Sequence, residues 1–217
     1  MIKLLWNGIL DLIYPPKCVL CTKLLSRNEV DLCRDCRLDT ERVPFPIVKG
    51  KSFECCHSVF YYKKHVASAV KRLKFSGKQH YGQAFGKLLA MKLLEAGVTA
   101  DVITWAPVSA KRRRQRGYDQ GEEIARSVGK ELGIPVMCLL KKNRHTSAQA
   151  QISDHDARKT NVTNAYVAVE PLQIQGRRIL LIDDVITSGA TLTECSKTLK
   201  KAGAESVICG TFAAAGN

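Results

Sequence analysis

The sequence contains no apolar run that could cross a membrane, since a spanning helix needs about 20 consecutive apolar residues. Residues 1–16 are apolar enough to suggest a signal peptide, but Asn7, Gly8 and Asp11 interrupt them and no small-residue cleavage site follows. The spacing of the apolar side chains instead predicts a short amphipathic helix that ends at Pro15. We therefore expect a cytoplasmic protein without a membrane span.

Aromatic residues are scarce, at 6% of 217 residues, and no internal repeat or low-complexity segment stands out. This scarcity limits any platform on which nucleic acid bases could stack. The candidates for such a platform are Tyr61, Tyr62, Phe75, Tyr81 and Tyr118. The alternative is that most of these rings belong to the core. Hydrophobic residues make up 45% of the chain, enough for one core with a small satellite or for two small domains.

Acidic residues are few, since the chain has 20 Asp and Glu but 34 Lys and Arg. The formal net charge is +14. The excess is concentrated in two zones. Residues 1–80 carry 15 basic and 7 acidic residues, and residues 107–160 carry 12 and 6. A basic surface favours polyanions such as nucleic acid, nucleotides or pyrophosphate. A soluble surface rich in lysine has the same composition, so charge alone does not decide between them.

Four of the nine cysteines form the pattern Cys-x2-Cys-x11-Cys-x2-Cys at Cys18, Cys21, Cys33 and Cys36. A cytoplasmic chain does not favour a disulfide framework. Two knuckles with the same two-residue gap match a tetrahedral zinc site with four thiolate ligands. Residues 17–40 are too few to build a core, so the metal would supply much of the fold of this module.

The other five cysteines are predicted to be structural. Cys55 and Cys56 precede His57 and could supply an alternative ligand, but adjacent cysteines seldom chelate one ion together. The remaining three lie in predicted regular elements and are expected in the core: Cys138, Cys195 and Cys209.

The rest of the chain alternates between helical and extended patterns. Helical spacing is found at 66–75, 81–96, 120–132 and 190–202. Extended segments are expected at 101–107, 136–140, 166–169, 178–184 and 206–212. This alternation predicts an α/β domain over 58–217, with a doubly wound, mainly parallel sheet. Residues 1–57 would hold the short helix, the four-cysteine module and a connector at 41–57.

The most informative stretch is residues 179–191, Ile-Leu-Leu-Ile-Asp-Asp-Val-Ile-Thr-Ser-Gly-Ala-Thr. Four apolar residues suit a strand buried on both faces, and the two acids follow at its carboxyl end, where ligands of such sheets bind. The small-and-hydroxyl loop and the next helix N-terminus suit a phosphate. Together they favour a ribose 5-phosphate site; the alternative is a strand that ends in a helix-capping turn.

Two further segments follow predicted strands and therefore belong near the same edge. Residues 106–121 contain a basic run, which is usually solvated or a nucleic acid patch, but here its position suits a pyrophosphate or phosphodiester site. The candidates for that site are Lys111, Arg112, Arg113, Arg116 and Gly117. Residues 144–161 are polar and long for a loop, as a lid over a bound sugar phosphate would be. His145 and His155 within this loop are expected to face solvent.

Residues 179–191 resemble the signature of type I phosphoribosyltransferases at all 13 positions. The resemblance implies that Asp183 and Asp184 hold the ribose hydroxyls of phosphoribosyl pyrophosphate, directly or through magnesium. It assigns the 5-phosphate to the loop residues Ile186, Thr187, Ser188, Gly189, Ala190 and Thr191.

The order of motifs along nearly the whole chain is similar to that of the ComF family. It comprises the four-cysteine module, Arg-Leu-Lys-Phe-Ser-Gly at 72–77, Pro107 with the basic run, the loop residues Arg144, Thr146, Gln149, Arg158 and Asn161, and the signature. This sequence departs from the pattern at Asp119, where Asn is expected, and at Ser188, which replaces a commoner Thr. The family pairs a zinc-finger-like lid with a phosphoribosyltransferase domain and is linked to natural transformation.

The resemblance leaves two functions open. The first is the handling of single-stranded DNA, with other DNA-processing or competence proteins as partners and a sugar-phosphate pocket beside the DNA site. The second is transfer of a phosphoribosyl group, with magnesium bridging pyrophosphate and ribose oxygens and pyrophosphate leaving toward Arg112, Arg113 and Arg116. The sequence names no acceptor.

Overall fold

The computed structural model describes residues 15–47, 52–75, 77, 79–143 and 165–216. Most of the predicted N-terminal helix and the whole predicted lid lie outside these residues, and with the lid lie Arg144, Thr146, Gln149, Arg158 and Asn161. Within the described ranges, no helix combines the length and the hydropathy that a bilayer crossing requires.

The described elements alternate between helices and strands. In chain order they are α1 (Arg34–Asp39), β1 (Cys56–Tyr61), α2 (Lys64–Phe75), α3 (His80–Glu95), β2 (Val102–Trp105), α4 (Ala110–Arg116), α5 (Gln120–Leu132), β3 (Leu140–Lys142), β4 (Tyr166–Ala168), a 3-10 turn (Pro171–Gln173), β5 (Arg178–Ile186), α6 (Ala190–Lys201) and β6 (Ser206–Ala214). Four strands form a sheet in the order β1-β6-β5-β2, and every pair in it is parallel. Strands β3 and β4 form a separate antiparallel pair. The predicted mainly parallel sheet is confirmed.

Helices cover both faces of this sheet, as side chains alternate along the buried strand β5. Leu180 and Ile182 belong to the core that also contains α2, α3 and α5. Ile179 and Leu181 belong to the opposite core, which contains α6 and the β3–β4 pair. Helices on two faces of a parallel sheet are the doubly wound arrangement that the sequence predicts.

The four-cysteine module packs against the α2 and α3 face of the sheet. Its Leu20 and Leu32 are fully buried in the same core as Leu73. Arg72 of α2 donates from its guanidinium to the carbonyl oxygens of Val19 and Leu20, at 3.0 and 2.6 Å. The module is therefore stabilised by packing against the core of the α/β domain. The small size of the module did not predict this contact.

Several boundaries agree closely with the sequence patterns. Helix α5 spans the predicted Gln120–Leu132, because the Asp119 side chain accepts hydrogen bonds from two backbone N–H groups at its start and Gly133 ends it in a left-handed conformation. The signature strand β5 is two residues longer than predicted and continues to Ile186.

Strand β1 was not predicted, and the segment 41–57 was expected to be a connector. Residues 42–47 of that segment instead run antiparallel beside β1, with Ile47 paired to Cys56 and the Val43 N–H donating to the Val59 carbonyl. The sequence of β1, Cys-His-Ser-Val-Phe-Tyr, has no clear alternation of apolar and polar residues that would indicate a strand.

The strand predicted at 136–140 is wrong. Val136 makes a single parallel bridge to Ile103 of β2, and strand β3 begins only at Leu140. Cys138 lies between this bridge and β3 and is exposed, so its predicted core position is also wrong. Cys195 and Cys209 are buried, as predicted.

Candidate functional site

A cavity of about 290 Å³ opens at the carboxyl edge of the sheet. The chain after β1 and β2, helices α2, α4 and α5, the β3–β4 pair and the end of β5 all contribute to its walls. Parallel strands end at one edge, so segments far apart in sequence meet there. The cavity brings together acids, hydroxyls and cations, which include Asp183, Asp184, Thr187, Thr191, Arg112 and Arg116.

The two acids occupy different environments although they are neighbours in sequence. Asp184 is buried, and its Oδ1 lies 2.8 Å from Nζ of Lys74. Asp183 is half-buried, and its Oδ1 accepts a hydrogen bond of 2.8 Å from the backbone N–H of Asp184. Burial, followed by the charge of Asp184, raises the pKa of Asp183 to about 8. The free pair therefore resists carrying two negative charges.

The loop after β5 is shaped by Gly189, which has a φ of 76° and precedes the first residue of α6. This left-handed conformation is costly for residues with a side chain, so glycine suits the position. Thr187 and Thr191 line the cavity, and the start of a helix favours bound anions.

The other loop residues surround this turn. Ile186 is buried, and Ser188 and Ala190 are half-buried; none of the three lines the cavity.

The basic run at residues 111–116 forms most of the short helix α4. The Ser109 hydroxyl accepts from the backbone N–H of Arg112 at its start, and Gly117 ends it with a φ of 81°. The run contains no apolar periodicity, so only these two caps could have indicated a helix.

Helix α4 divides its cations between the cavity and the surface. Arg112 and Arg116 line the cavity, and Arg116 donates to the side chain of Gln120 at 2.7 Å. Arg113 pairs with Glu122 at 3.0 Å, and Lys111 and Gly117 are exposed. Of the five candidates for pyrophosphate or DNA phosphate, two face the cavity, whereas Lys111, Arg113 and Gly117 lie outside its walls.

Lys74, Lys142 and Tyr166 line the cavity but had no predicted role. Lys142 of β3 donates to the Tyr166 hydroxyl of β4 at 3.0 Å. Burial, with a smaller effect of Arg112, lowers the pKa of Lys142, and burial raises the pKa of Tyr166. No local motif marks these residues, because they reach the cavity only through tertiary contacts.

Asp119 has a structural task at this edge. Its carboxylate accepts from the backbone N–H of Val108 at 2.9 Å and of Gly121 at 3.0 Å. It thereby caps α5 and fixes the chain that leaves β2. The two bonds use the two carboxylate oxygens, so Asp supplies an acceptor for each, whereas the Asn expected from the family pattern has a single acceptor oxygen.

The four cysteines of the module converge at one point. The Sγ atoms of Cys18, Cys21, Cys33 and Cys36 all lie within 4.8 Å of one another. The Sγ atoms of Cys21 and Cys33 are 3.6 Å apart, and tetrahedral zinc with bonds of about 2.3 Å separates its sulfurs by roughly 3.8 Å. Burial opposes ionisation of Cys18, but backbone N–H groups outweigh it and lower the pKa of Cys18 to about 7. The cluster can hold a metal ion.

Cys55 has one possible co-ligand, since its Sγ lies 3.5 Å from Nε2 of His57. Within the described part of the chain, no group of three or more ligands forms outside the four-cysteine cluster. Cys56 is buried in β1, where its Sγ lies 3.7 Å from the Thr211 hydroxyl.

A second and larger cavity of about 460 Å³ is lined by residues of the four-cysteine module, of β1 and of α2. Tyr61 lines this cavity, and its neighbour Tyr62 lines the smaller one. Tyr81 and Tyr118 are buried, whereas Phe75 is 74% exposed. Size alone would favour the larger cavity, but the acids and the helix N-terminus lie at the smaller one.

Comparisons with known proteins agree with this architecture. Residues 119–217 match the family model "Phosphoribosyl transferase domain". The chain is 27% identical to "Competence protein F" of Haemophilus influenzae, over 88% of this chain and 93% of that protein. It is 26% identical to "DNA utilization protein YhgH" of Escherichia coli, over 88% and 86%. It is 27% identical to "Competence protein ComFC" of Streptococcus pneumoniae, over 88% and 96%. The resemblance drawn from the order of the motifs is confirmed.

Proposed function

We propose that this chain, a ComF-family protein with a phosphoribosyl transferase domain at residues 119–217, handles single-stranded DNA in natural transformation and binds phosphoribosyl pyrophosphate at the carboxyl edge of its sheet. The observation that carries the proposal is the shared cavity of the acidic pair, the hydroxyls beside the N-terminus of α6 and two arginines. These groups match the three polar parts of that ligand: ribose, 5-phosphate and pyrophosphate.

Each part of the donor has chemically suitable partners in the cavity. The carboxylates of Asp183 and Asp184 accept hydrogen bonds from ribose hydroxyls. Thr187 and Thr191 donate hydroxyl hydrogen bonds to the 5-phosphate beside the positive end of the α6 dipole. Arg112 and Arg116 offer guanidinium groups to the pyrophosphate, which they can bind in a bidentate manner.

Magnesium fits the acidic pair in donor chemistry. Asp184 keeps one buried oxygen, Oδ2, for which the described residues offer no hydrogen bond, and carboxylate oxygens are ligands that magnesium prefers. Asp183 and Asp184 would hold the ion, which supplies positive charge to the pyrophosphate oxygens. In the module, Cys18, Cys21, Cys33 and Cys36 would hold a structural zinc ion.

The DNA part of the proposal is supported by the names of the relatives and by the surface of α4. "Competence" and "DNA utilization" describe those proteins. In this chain Lys111 and Arg114 of α4 are exposed and do not line the cavity, so they can contact a phosphate backbone while Arg112 and Arg116 contact the donor. Such contacts would give binding without sequence preference.

A second candidate is an active phosphoribosyltransferase, favoured by the presence of both carboxylates and guanidinium groups in one cavity. In such a transfer the bond from C1 to pyrophosphate breaks, an acceptor nucleophile bonds to C1, and the electron pair leaves with pyrophosphate toward Arg112 and Arg116. The transition state resembles an oxocarbenium ion, so the protein acts by positioning the donor and stabilising charge. Release of pyrophosphate when a candidate acceptor is added would distinguish this function from binding alone.

Two double variants separate the two activities. Asp183→Ala with Asp184→Ala removes the ribose acceptors, and we expect the affinity for phosphoribosyl pyrophosphate to fall about a hundredfold or more while the affinity for single-stranded DNA changes less than about twofold. Lys111→Ala with Arg114→Ala should do the reverse. If both cations contact phosphates, the slope of log affinity for DNA against log salt should flatten by about 1.4. Calorimetry and fluorescence anisotropy measure the two ligands.

Each arm has an outcome that defeats its part of the proposal. Equal binding of phosphoribosyl pyrophosphate by the wild type and the aspartate variant would remove the assigned site. A DNA affinity that does not change with salt would rule out the proposed contacts between helix α4 and the DNA phosphates.

A further inference from the structure

The last turn of α2 places a cation directly on the acidic pair. Nζ of Lys74 lies 2.8 Å from Oδ1 of Asp184, and the side chains of the two residues are 24% and 5% exposed. Both line the cavity at the carboxyl edge. In the ranges that the structure describes, Lys74 is the one cation that forms an ion pair with either acid of the signature.

This ion pair compensates a charge that would otherwise be buried without a partner. A buried carboxylate is strongly disfavoured unless a cation or hydrogen bonds accompany it. Oδ1 of Asp184 has the Lys74 ammonium, whereas Oδ2 has no hydrogen-bond partner among the described residues. The protein thus provides a partner for Oδ1 of Asp184, whereas Oδ2 is available to a ligand or a cation.

An ammonium on Oδ1 opposes the binding of a divalent cation to the same carboxylate. Two cations a few ångströms apart repel strongly in a poorly hydrated site, and Lys74 occupies one of the two oxygens that a metal would use. A lysine can yield, because its charge is a compact ammonium at the end of a flexible stem. The geometry therefore indicates that Lys74 and a divalent cation compete for Asp184, and that the ion pair is not a fixed structural contact.

We infer that Lys74 is a tethered counter-cation, which neutralises Asp184 in the free protein and competes with a divalent cation for this carboxylate. This inference rests on the proposed sugar-phosphate site and adds a positioning residue to it. It implies that the free site has a weak affinity for metal, and that the metal binds well only when Lys74 has been drawn away. A ligand with several phosphate oxygens beside Asp184 would provide such an attraction.

The test measures binding of Mn²⁺ alone, by electron paramagnetic resonance and calorimetry, to the full-length zinc-loaded protein. Lys74→Gln removes the charge and keeps the length of the side chain, and we expect Mn²⁺ to bind about tenfold more tightly or better. Lys74→Arg keeps the charge and should stay within about twofold of the wild type. Lys71→Gln is the matched control, since Lys71 is exposed on the same helix and does not line the cavity.

The gain in Mn²⁺ affinity must depend on Asp184, so adding Asp184→Asn to Lys74→Gln should abolish it. Lys74→Met, which also keeps most of the aliphatic stem, provides an independent measurement if the glutamine variant folds poorly, and thermal unfolding reports folding for each variant. Equal Mn²⁺ affinity in the wild type and both charge-removing variants would overturn the inference. A gain that survives Asp184→Asn would overturn it as well.

Failure of this inference can be told apart from failure of the proposed function. Binding of phosphoribosyl pyrophosphate with magnesium to the wild type is measured in parallel. If it binds while the Lys74 variants leave Mn²⁺ affinity unchanged, only the counter-cation role is wrong. If it does not bind while Lys74→Gln tightens Mn²⁺ binding, the donor site is wrong and the cation competition at Asp184 stands.

Discussion

Asp183 and Asp184 show how neighbouring identical residues acquire different properties. Asp184 has the Lys74 ammonium at 2.8 Å, whereas Asp183 has a single backbone N–H donor and the charge of Asp184 beside it. Burial and that charge raise the pKa of Asp183 to about 8. The site therefore stores an unfavourable interaction that a cation or a sugar would relieve.

Replacing Asp183 by asparagine should stabilise the protein at alkaline pH. The pKa of Asp183 rises from 3.8 to about 8 on folding, so the folded state holds a proton that the unfolded state releases. The wild type consequently loses stability as pH rises from about 4 to about 8, and Asp183→Asn does not. The difference in free energy of unfolding should grow by about 1–3 kcal/mol between pH 5 and pH 9, measured by urea denaturation without added magnesium. A difference that is constant across this range would refute the raised pKa.

The sequence predicts those residues of the site that act through local motifs. The four cysteines and the Asp183–Asp184 pair belong to motifs that can be recognised within one short segment of the sequence. Lys74 lies in the motif at 72–77, which assigns it no role, and no motif contains Lys142 or Tyr166. Their roles arise because α2, β3 and β4 pack around the end of β5, and no pattern within one element encodes that packing.

At the scale of elements, the last turn of α2 contacts three parts of the molecule. Arg72 donates to two carbonyls of the first cysteine knuckle, and Leu73 accepts from the Tyr118 hydroxyl. Lys74 pairs with Asp184, and the Phe75 ring lies beneath the Arg116 guanidinium, at 5.2 Å from its centroid. One helical turn thus joins the four-cysteine module, helix α4 and the acidic pair.

Arg72→Met should loosen the cysteine module without removing a ligand. The variant loses the hydrogen bonds to the carbonyls of Val19 and Leu20, which lie between the first two cysteines. We expect a loss of about 1–3 kcal/mol in the free energy of unfolding and a several-fold faster release of zinc to a chelator. Arg34→Met is the control, since Arg34 is an exposed cation next to Cys33. Equal release rates in the two variants would show that Arg72 does not support the knuckle.

Elements with strong end signals are predictable, and the others are not. Helix α5 has an apolar face with Asp119 and Gly133 at its ends, and its bounds are as predicted. Helix α4 has five basic residues among the six at 111–116 and buries none of its side chains, so periodicity could not reveal it. Strand β1 is stabilised by pairing with β6 from the far end of the chain, which local propensity cannot register.

At the scale of the whole molecule, two cavities lie on either side of the chain that leaves β1. Tyr61 lines the larger one beside the cysteine module, and Tyr62 lines the smaller one with the acidic pair. The module shares the core of α2 and α3, so it forms a continuous body with the sheet. The fold class follows from the alternation of helices and strands, whereas this docking of the module required the structure.

The central claim is that the smaller cavity binds phosphoribosyl pyrophosphate, and a crystal structure of the zinc-loaded protein with this ligand and magnesium tests it most directly. We expect ribose hydroxyls at Asp183 and Asp184, the 5-phosphate beside Thr187 and Thr191, and the pyrophosphate facing Arg112 and Arg116. Density for the ligand in the larger cavity beside the cysteine module would contradict it. A smaller cavity that stays free of ligand at saturating concentrations of phosphoribosyl pyrophosphate would also contradict it.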